Sequence, residues 1–431
     1  LPMKKAAPVE YVRVCSVHGA GFFYIPGSDT CIKIGGRVRA EYRYLEPLWS
    51  VFPGDGRRKD AIGMRARGRI NVDARTATEW GTLRAFIQVD VTADTGVYNN
   101  QFSSTTGLVN GTASESTSVV LDKAYIQWAG ITAGRISSFF DFYASAINFG
   151  SGVMGSLGSD DGSVNVLAYT ATFGNGFSAT LALEDRSSQV LSGSSLYVNT
   201  TYGLAGQRMP SIVGNIRVDQ SWGSAQLSAA VQQLNSTNIG DGVTTVGIGS
   251  GALGRRTSDE YGWAIQAGVR FNLPMLAAGD ALWLQAAYAD GAIGRLGLGA
   301  NSIIGPIGGF ATDALLVNGD LKKTKGWGVT AALLHYWTPS VRQAVFGNYT
   351  AVDYAGSTVA AYSIDGIATV NDFKIWTVGT NVIWSPVKAF DIGVEVLYQK
   401  LDPKGRVLLP TGGSKSSEDI WEARIRFQRD F

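Results

Sequence analysis

The 431-residue chain sets 37 Lys and Arg against 35 Asp and Glu, so its formal net charge of +2 gives no footing for a nucleic-acid partner. Charged residues make up only 17%, below the roughly 25% of soluble domains, while 54 Gly, 11 Trp, 17 Tyr and 18 Phe stand beside 12 Pro. This disfavours the two or three soluble domains that the length suggests and suits many strands joined by turns, because proline cannot donate to a β-ladder.

Residues 1–29 come first. Lys4, Lys5, Glu10 and Arg13 make this segment too polar for lipid, and no apolar signal stretch precedes it, as expected of a processed chain. In an oxidising periplasm Cys15 and Cys31 would pair, closing a loop worth about 3 kcal/mol; the alternative is two free thiols. Without a histidine cluster they make a poor zinc site, and neither metal nor cofactor is expected. The segment reads either as a periplasmic cap or as a small insert in a lumen; its residues leave both readings open.

From residue 30 onward the pattern is period two. Residues 32–44 put Lys33, Arg37, Arg39, Glu41 and Arg43 on one face, with Ile32, Ile34, Val38, Ala40, Tyr42 and Tyr44 on the other. Residues 62–78 are the clearest case: Arg65, Arg67, Arg69, Asn71, Asp73 and Arg75 alternate with Met64, Ala66, Ile70, Val72 and Ala74. A helix would scatter those arginines around its axis. In 82–91, Arg84, Gln88 and Asp90 alternate with Leu83, Ala85, Ile87 and Val89. A fifth strand carries Arg135 and Asp141 on one face, and 143–163 comes after it as a loop with Asp160 and Asp161 but no Lys or Arg. No stretch reads as a membrane helix; 164–183 is broken by Gly174-Asn175-Gly176 and reads as a hairpin. Residues 213–221, 261–273 and 390–398 alternate again, with Asn215, Arg217, Gln266, Arg270, Asp391 and Glu395 on their wet faces. Segments 119–128, 281–289 and 341–353 alternate poorly.

The connections alternate as well. Tight ones centre on Trp80-Gly81, Ala129-Gly130, Asn175-Gly176, Trp222-Gly223, Pro339-Ser340 and Pro386-Val387, with a slightly longer one at 274–279. Long polar ones cover about 46–60, 96–117, 143–163, 189–210, 237–258, 292–323, 355–371 and 401–417. Short turns on one side and long loops on the other are the outer-membrane barrel pattern, and the strands between them number sixteen. Trp80, Trp128, Trp222, Trp337 and Trp384 all flank short turns, as expected at a membrane edge, where an apolar ring with a polar N–H is favoured. The last strand sets Trp421, Ala423, Ile425, Phe427 and Phe431 against Glu422, Arg424, Arg426, Gln428 and Asp430, with Arg429 the exception on the apolar face. A closing strand with a terminal aromatic resembles the signal read by the outer-membrane assembly machinery.

Several stretches also resemble the alphaproteobacterial general porins. They are Val12-Arg13-Val14-Cys15, residues 19–27, Thr30-Cys31, Ile34-Gly35-Gly36, Gly134-Arg135, residues 138–142 and the C-terminal strand. The resemblance implies an all-β, sixteen-stranded antiparallel barrel over 30–431 with its third loop folded inward. It also implies a homotrimer among outer-membrane lipid and lipopolysaccharide, passing small hydrophilic solutes and ions by passive diffusion.

A barrel of this size leaves an aqueous channel. The last strand pairs with the first, so Arg37, Arg39, Arg65, Arg67, Arg69, Arg84, Arg424 and Arg426, with Lys33, are expected on one basic wall of the lumen. Asp141, Asp160 and Asp161 are expected opposite, giving a transverse field that disfavours apolar solutes. Three rivals stand beside this reading. A substrate-specific channel would use Phe139, Phe140, Phe142 and Tyr143 to guide a sugar or other polar solute, where the plainer role is to anchor the loop. A barrel enzyme has only His18 and His335 to draw on, with no evident Ser–Asp partner set. A translocator or receptor would need a plug larger than 29 residues.

Overall fold

The computed structural model describes residues 13–46, 60–98, 115–150, 155–159, 162–185, 203–204, 207–237, 259–298, 311–317, 320–354, 360–361, 368–369, 372–408 and 414–431. Sixteen of the described strands form a closed antiparallel wall. In chain order they are β1 (Cys31–Leu45), β2 (Ile62–Thr78), β3 (Gly81–Asp94), β4 (Ser116–Trp128), β5 (Ile131–Ser137), β6 (Ser163–Gly174), β7 (Phe177–Asp185) and β8 (Ser211–Gln220). They continue as β9 (Gly223–Leu234), β10 (Glu260–Asn272), β11 (Ala281–Asp290), β12 (Lys325–Thr338), β13 (Val341–Asp353), β14 (Phe373–Val387), β15 (Phe390–Pro403) and β16 (Glu418–Asp430). Each pairs with its chain neighbours, and β16 pairs back onto β1 from Arg37–Asp430 to Leu45–Glu422. Phe431 finishes the seam by exchanging backbone hydrogen bonds with Gly36. Closure matters because an unpaired backbone N–H or C=O in hydrocarbon costs several kcal/mol, and a closed barrel has no edge strand. No helix among the described residues is long and apolar enough to cross a membrane.

The two faces of the wall carry opposite chemistry. Ile34, Val38, Met64, Ile70, Ile87, Leu181, Ile216, Val378 and Val394 are exposed on the outside. Between them Glu41, Asp90, Thr180, Gln226, Gln266, Thr330, Asn381 and Glu395 are buried on the inside. Exposed apolar outside and buried polar inside is the inverse of a soluble sheet, as lipid on one side and a hydrophilic interior on the other require.

Two local departures explain where period two fails. In β4 the register with β3 shifts between Gln88 and Val89, so that Asp122 is the extra residue of a bulge. The bulge leaves Val119, Val120 and Leu121 all exposed while Asp122 accepts hydrogen bonds from Gln88 and Ser163. The last short turn lies at Lys388-Ala389 rather than Pro386-Val387: Val387 pairs with Phe390 and Ala389 takes a φ of 62°. Pro386 instead marks a register shift within β14, where the lack of an N–H does no harm.

At the short-turn end, residues 13–24 form a small hairpin against the foot of β1. The chain pairs Phe23 with Ile32, and Cys15 N donates to Phe22 O at 2.9 Å. The Cys15–Cys31 disulfide ties the hairpin to the first residue of β1 with Cα atoms 6.1 Å apart. The Phe22 ring lies under the Arg75 guanidinium at 4.8 Å, and Arg13 stacks over Tyr24 at 4.8 Å.

Candidate pore constriction

Strand register builds the basic wall rung by rung. Across β16, β1, β2 and β3 one rung reads Asp430, Arg37, Arg69, Asp90; the next reads Gln428, Arg39, Arg67, Thr92; the third reads Arg426, Glu41, Arg65, Asp94. All twelve side chains alternate with outward residues, apolar except for Arg429, and so face inward. In the first rung Arg37 donates to Asp430 at 2.6 Å, and Arg69 is bidentate on Asp90 at 2.7 and 2.8 Å. In the third, Arg65 is bidentate on Asp94 at 2.6 and 2.8 Å, and Arg426 donates to Glu41 at 2.7 Å. Forked guanidinium–carboxylate pairs are strong and directional, and they let many arginines share one wall. In the middle rung Arg39 donates to the Gln428 amide oxygen at 3.0 and 2.8 Å, and Arg67 to the Thr92 hydroxyl at 3.2 Å.

The other two predicted arginines sit apart from this stack. Arg424 pairs with Glu422, which also accepts from Arg43 at 2.6 Å, nearer the long-loop end. Arg84 lies toward the short turns, where it and Arg75 both bond Asp73. Among the described residues, Asp430, Asp90, Asp94, Glu41, Glu422 and Asp73 bring carboxylates to the arginines from the strands themselves. Asp160 and Asp161 lie outside the described residues. Asp141 is described, but β5 ends at Ser137, so Asp141 belongs to the loop and not to the strand face predicted for it.

The chain leaves the wall at Ser138 and is laced across the interior. Glu184 of β7 accepts from Ser138 Oγ at 3.0 Å and from Phe139 N at 2.9 Å. Asn215 of β8 donates to Phe139 O at 2.7 Å, Gln226 of β9 to Asp141 O at 3.0 Å, and Gln266 of β10 to Phe140 O at 2.8 Å. Gln285 of β11 accepts from Tyr143 N at 2.9 Å. Asn381 of β14 donates to Ile147 O at 2.8 Å, and Glu395 of β15 accepts from Phe149 N at 2.8 Å. On β16, Arg426 donates to Phe149 O and its guanidinium covers the Phe149 ring at 4.0 Å. The partners are inward side chains of β7–β11 and β14–β16, so residues 138–149 run along the inner side of that part of the wall.

Apolar seats complete the attachment. Phe140 and Tyr143 are fully buried. The Phe142 ring presses on the backbone of Gly268, where a side chain would overlap it, and a Cβ at Gly393 would come within 2.6 Å of Phe149 Cζ. Burial pushes the Tyr143 hydroxyl pKa far up, with the nearby Glu395 carboxyl adding to it, and the hydroxyl donates to Asn148 Oδ1 at 2.9 Å. Arg295, from a short turn at Ile293–Leu296, is also fully buried; it reaches Glu184 at 3.5 Å and lies over the Phe140 ring at 5.0 Å. Sequence reasoning placed Asn215, Gln266 and Glu395 on wet strand faces but gave them no task. It took Arg295 for part of a long polar loop.

The porin subfamily model matches residues 2–423. Porin Omp2b of Brucella suis biovar 1 is 29% identical over 308 residues, covering 65% of this chain and 76% of that protein. Porin Omp2b of Brucella canis is 30% identical over 309 residues, with the same coverage. Among solved structures, the outer membrane channel DcaP of Acinetobacter baumannii superposes with a TM-score of 0.63 at 17% identity, covering 95% of this chain and 99% of that one, a likeness of fold. A family match over nearly the whole chain, on a closed barrel with a polar interior, places this protein in the porin subfamily.

Proposed function

We infer that this chain is a general diffusion porin of a Gram-negative outer membrane, a water-filled barrel through which small hydrophilic solutes and ions move down their gradients. The observation that carries this is the closed sixteen-stranded wall, apolar outside and polar inside. A barrel of that strand number has room for an aqueous channel beside one inward loop. Its relatives are porins, which supports a channel role over a catalytic one. We propose no reaction for His335: Asp280 binds its Nδ1 at 2.6 Å and Tyr336 N at 2.8 Å, a brace for a short turn.

The constriction is proposed where the loop meets the basic wall. Arg37, Arg39, Arg65, Arg67, Arg69, Arg84, Arg424 and Arg426 would line one side, and Asp141, Asp160 and Asp161 would face them. Contact of Arg426 with the Phe149 carbonyl supports that placement. A transverse field between the two sides would orient dipolar solutes and reject apolar ones. The loop aromatics favour a general pore over a substrate-specific one, because Phe140 and Tyr143 are buried as anchors and offer no ladder to a sugar. We also propose that residues 1–29 form a periplasmic mouth segment apart from the barrel of 30–431, since 13–24 pack at the short-turn end. Assembly as a homotrimer surrounded by lipid and lipopolysaccharide completes the reading.

The test is single-channel recording of purified protein in planar bilayers, with neutral sugars of graded size. Large ohmic steps in groups of three, without saturable sugar block, are expected. Closed channels from correctly folded barrels would sink the proposal.

A further inference from the structure

The charge of the basic wall is unevenly distributed. The rung Asp430, Arg37, Arg69, Asp90 holds two guanidiniums and two carboxylates, and so does the rung Arg426, Glu41, Arg65, Asp94. The rung between them, Gln428, Arg39, Arg67, Thr92, holds two guanidiniums and no carboxylate. Its outer members are neutral hydrogen-bonding groups, so the middle rung keeps a charge of about +2 between two balanced ones.

Arg39 and Arg67 are direct register partners, which brings their side chains side by side on the lumenal face. Each is held from its far side: Arg39 by Gln428, Arg67 by Thr92 at 3.2 Å, with the nearest carboxylate, Asp90, 3.9 Å from Arg67 and already forked onto Arg69. A guanidinium offers five N–H groups. Most of those on Arg39 and Arg67 have no acceptor among the described residues, and 26% of the Arg67 side chain stays exposed. Held in position, these groups have no carboxylate within their own rung to bond.

We propose that Arg39 and Arg67 form an oxyanion seat in the pore wall that takes a phosphate group, free or carried on a small solute. Two adjacent guanidiniums present the paired forks that match phosphate geometry. A rung charge near +2 complements a phosphate group of about −1.5 to −2 better than a monocarboxylate. The seat lies one rung on the short-turn side of Arg426, whose contact with Phe149 O marks the loop crossing. A solute coming past the loop meets it next. The proposal rests on the basic wall lining the conduction path.

The test uses the full porin in planar bilayers at constant ionic strength, with chloride replaced stepwise by inorganic phosphate or by acetate. Wild type should show a saturable loss of current with phosphate and none with acetate. Gln428→Glu gives the rung the carboxylate it lacks while keeping both arginines, and it should abolish the phosphate effect. Arg39→Gln or Arg67→Gln should weaken apparent phosphate affinity about tenfold, the loss expected for one charge-assisted contact. Heat-modifiable migration of each variant verifies folding. A phosphate effect unchanged in Gln428→Glu, or equal for acetate, overturns the seat. Should Arg39→Gln move the KCl reversal potential toward cations without altering the phosphate response, the seat alone fails. Should it move neither, the constriction reading fails with it.

Discussion

Glycine at two wall positions does what no larger residue could. Gly268 and Gly393 face inward, and the Phe142 and Phe149 rings occupy the space a side chain would need. Gly268→Leu should therefore lift this part of the loop, at a cost of about 1–3 kcal/mol for the overpacked site. Single-channel conductance should rise or become noisy while the barrel still folds; a wild-type conductance would show that the loop is held elsewhere. Tyr143 gives a pH test. Its hydroxyl pKa is raised by burial, so the stability this group contributes is complete below the unfolded value of about 10 and is lost as pH climbs beyond it. Wild type should lose stability more steeply than Tyr143→Phe above pH ~10 in denaturant titrations, and equal slopes would refute the assignment. The arginine wall was legible in the sequence because period two puts Arg65, Arg67 and Arg69 on one face. The acids that meet them, Asp94 for Arg65 and Asp90 for Arg69, were written there too, as were Asp430 for Arg37 and Glu41 for Arg426. Which acid meets which arginine depends on register between strands, some nearly four hundred residues apart as for Arg37 and Asp430, and alternation within one strand carries no such information.

At the scale of elements, the start of the inward loop is held by Glu184, which forms a buried charge pair with Arg295. Glu184 takes two hydrogen bonds from Ser138 and Phe139 and lies 3.5 Å from Arg295, both side chains fully buried. Glu184→Gln keeps the shape and removes the negative charge 3.5 Å from that guanidinium. Breaking one side of such a pair typically costs about 3–5 kcal/mol. Proteolysis within 138–150, slow in wild type, should accelerate in this variant; unchanged cleavage would mean that the amide ladder of Gln226, Gln266 and Gln285 suffices. The N-terminal hairpin is a separate element with a separate test. Reducing Cys15–Cys31 should lower stability by about 3 kcal/mol while leaving conductance in place, as chemical denaturation and bilayer recording of one reduced sample would reveal. The disulfide and the loop's existence could be read from the sequence. The strand end at Ser137 could not, because Arg135 and Asp141 keep a common parity past the point where Glu184 captures the backbone. Nor could the β4 bulge, since an extra residue simply looks like failed alternation.

For the whole molecule, the height of the apolar band is the decisive dimension. The short-turn edge carries Trp80, Trp128, Trp222, Trp337 and Trp384, all exposed, as their positions in the sequence led one to expect. A second set marks the other edge on β10–β16: Trp263 packs with Tyr288 at 5.4 Å, Trp327 with Tyr349 at 5.1 Å, Trp376 with Tyr349 at 4.4 Å and Trp421 with Tyr398 at 4.9 Å. This girdle escapes a sequence reading because its members stand a few residues inside their strands and flank no turn. Ten residues separate Trp327 from Trp337 on β12. At roughly 3.4 Å each along a strand tilted about 40°, the girdles lie ~26 Å apart, the height expected of an outer-membrane band. Indoles at both edges resist displacement in either direction, so bilayer thickness should tune stability through mismatch. Refolded into vesicles of graded acyl length, the protein should melt at its highest temperature where the hydrocarbon core is ~26 Å thick, and lower in thinner or thicker bilayers. Trp327→Ala with Trp376→Ala should flatten the fall on one side of that maximum only, because the other girdle stays in place. A melting temperature rising steadily with thickness would mean that the second girdle does not sit at the interface.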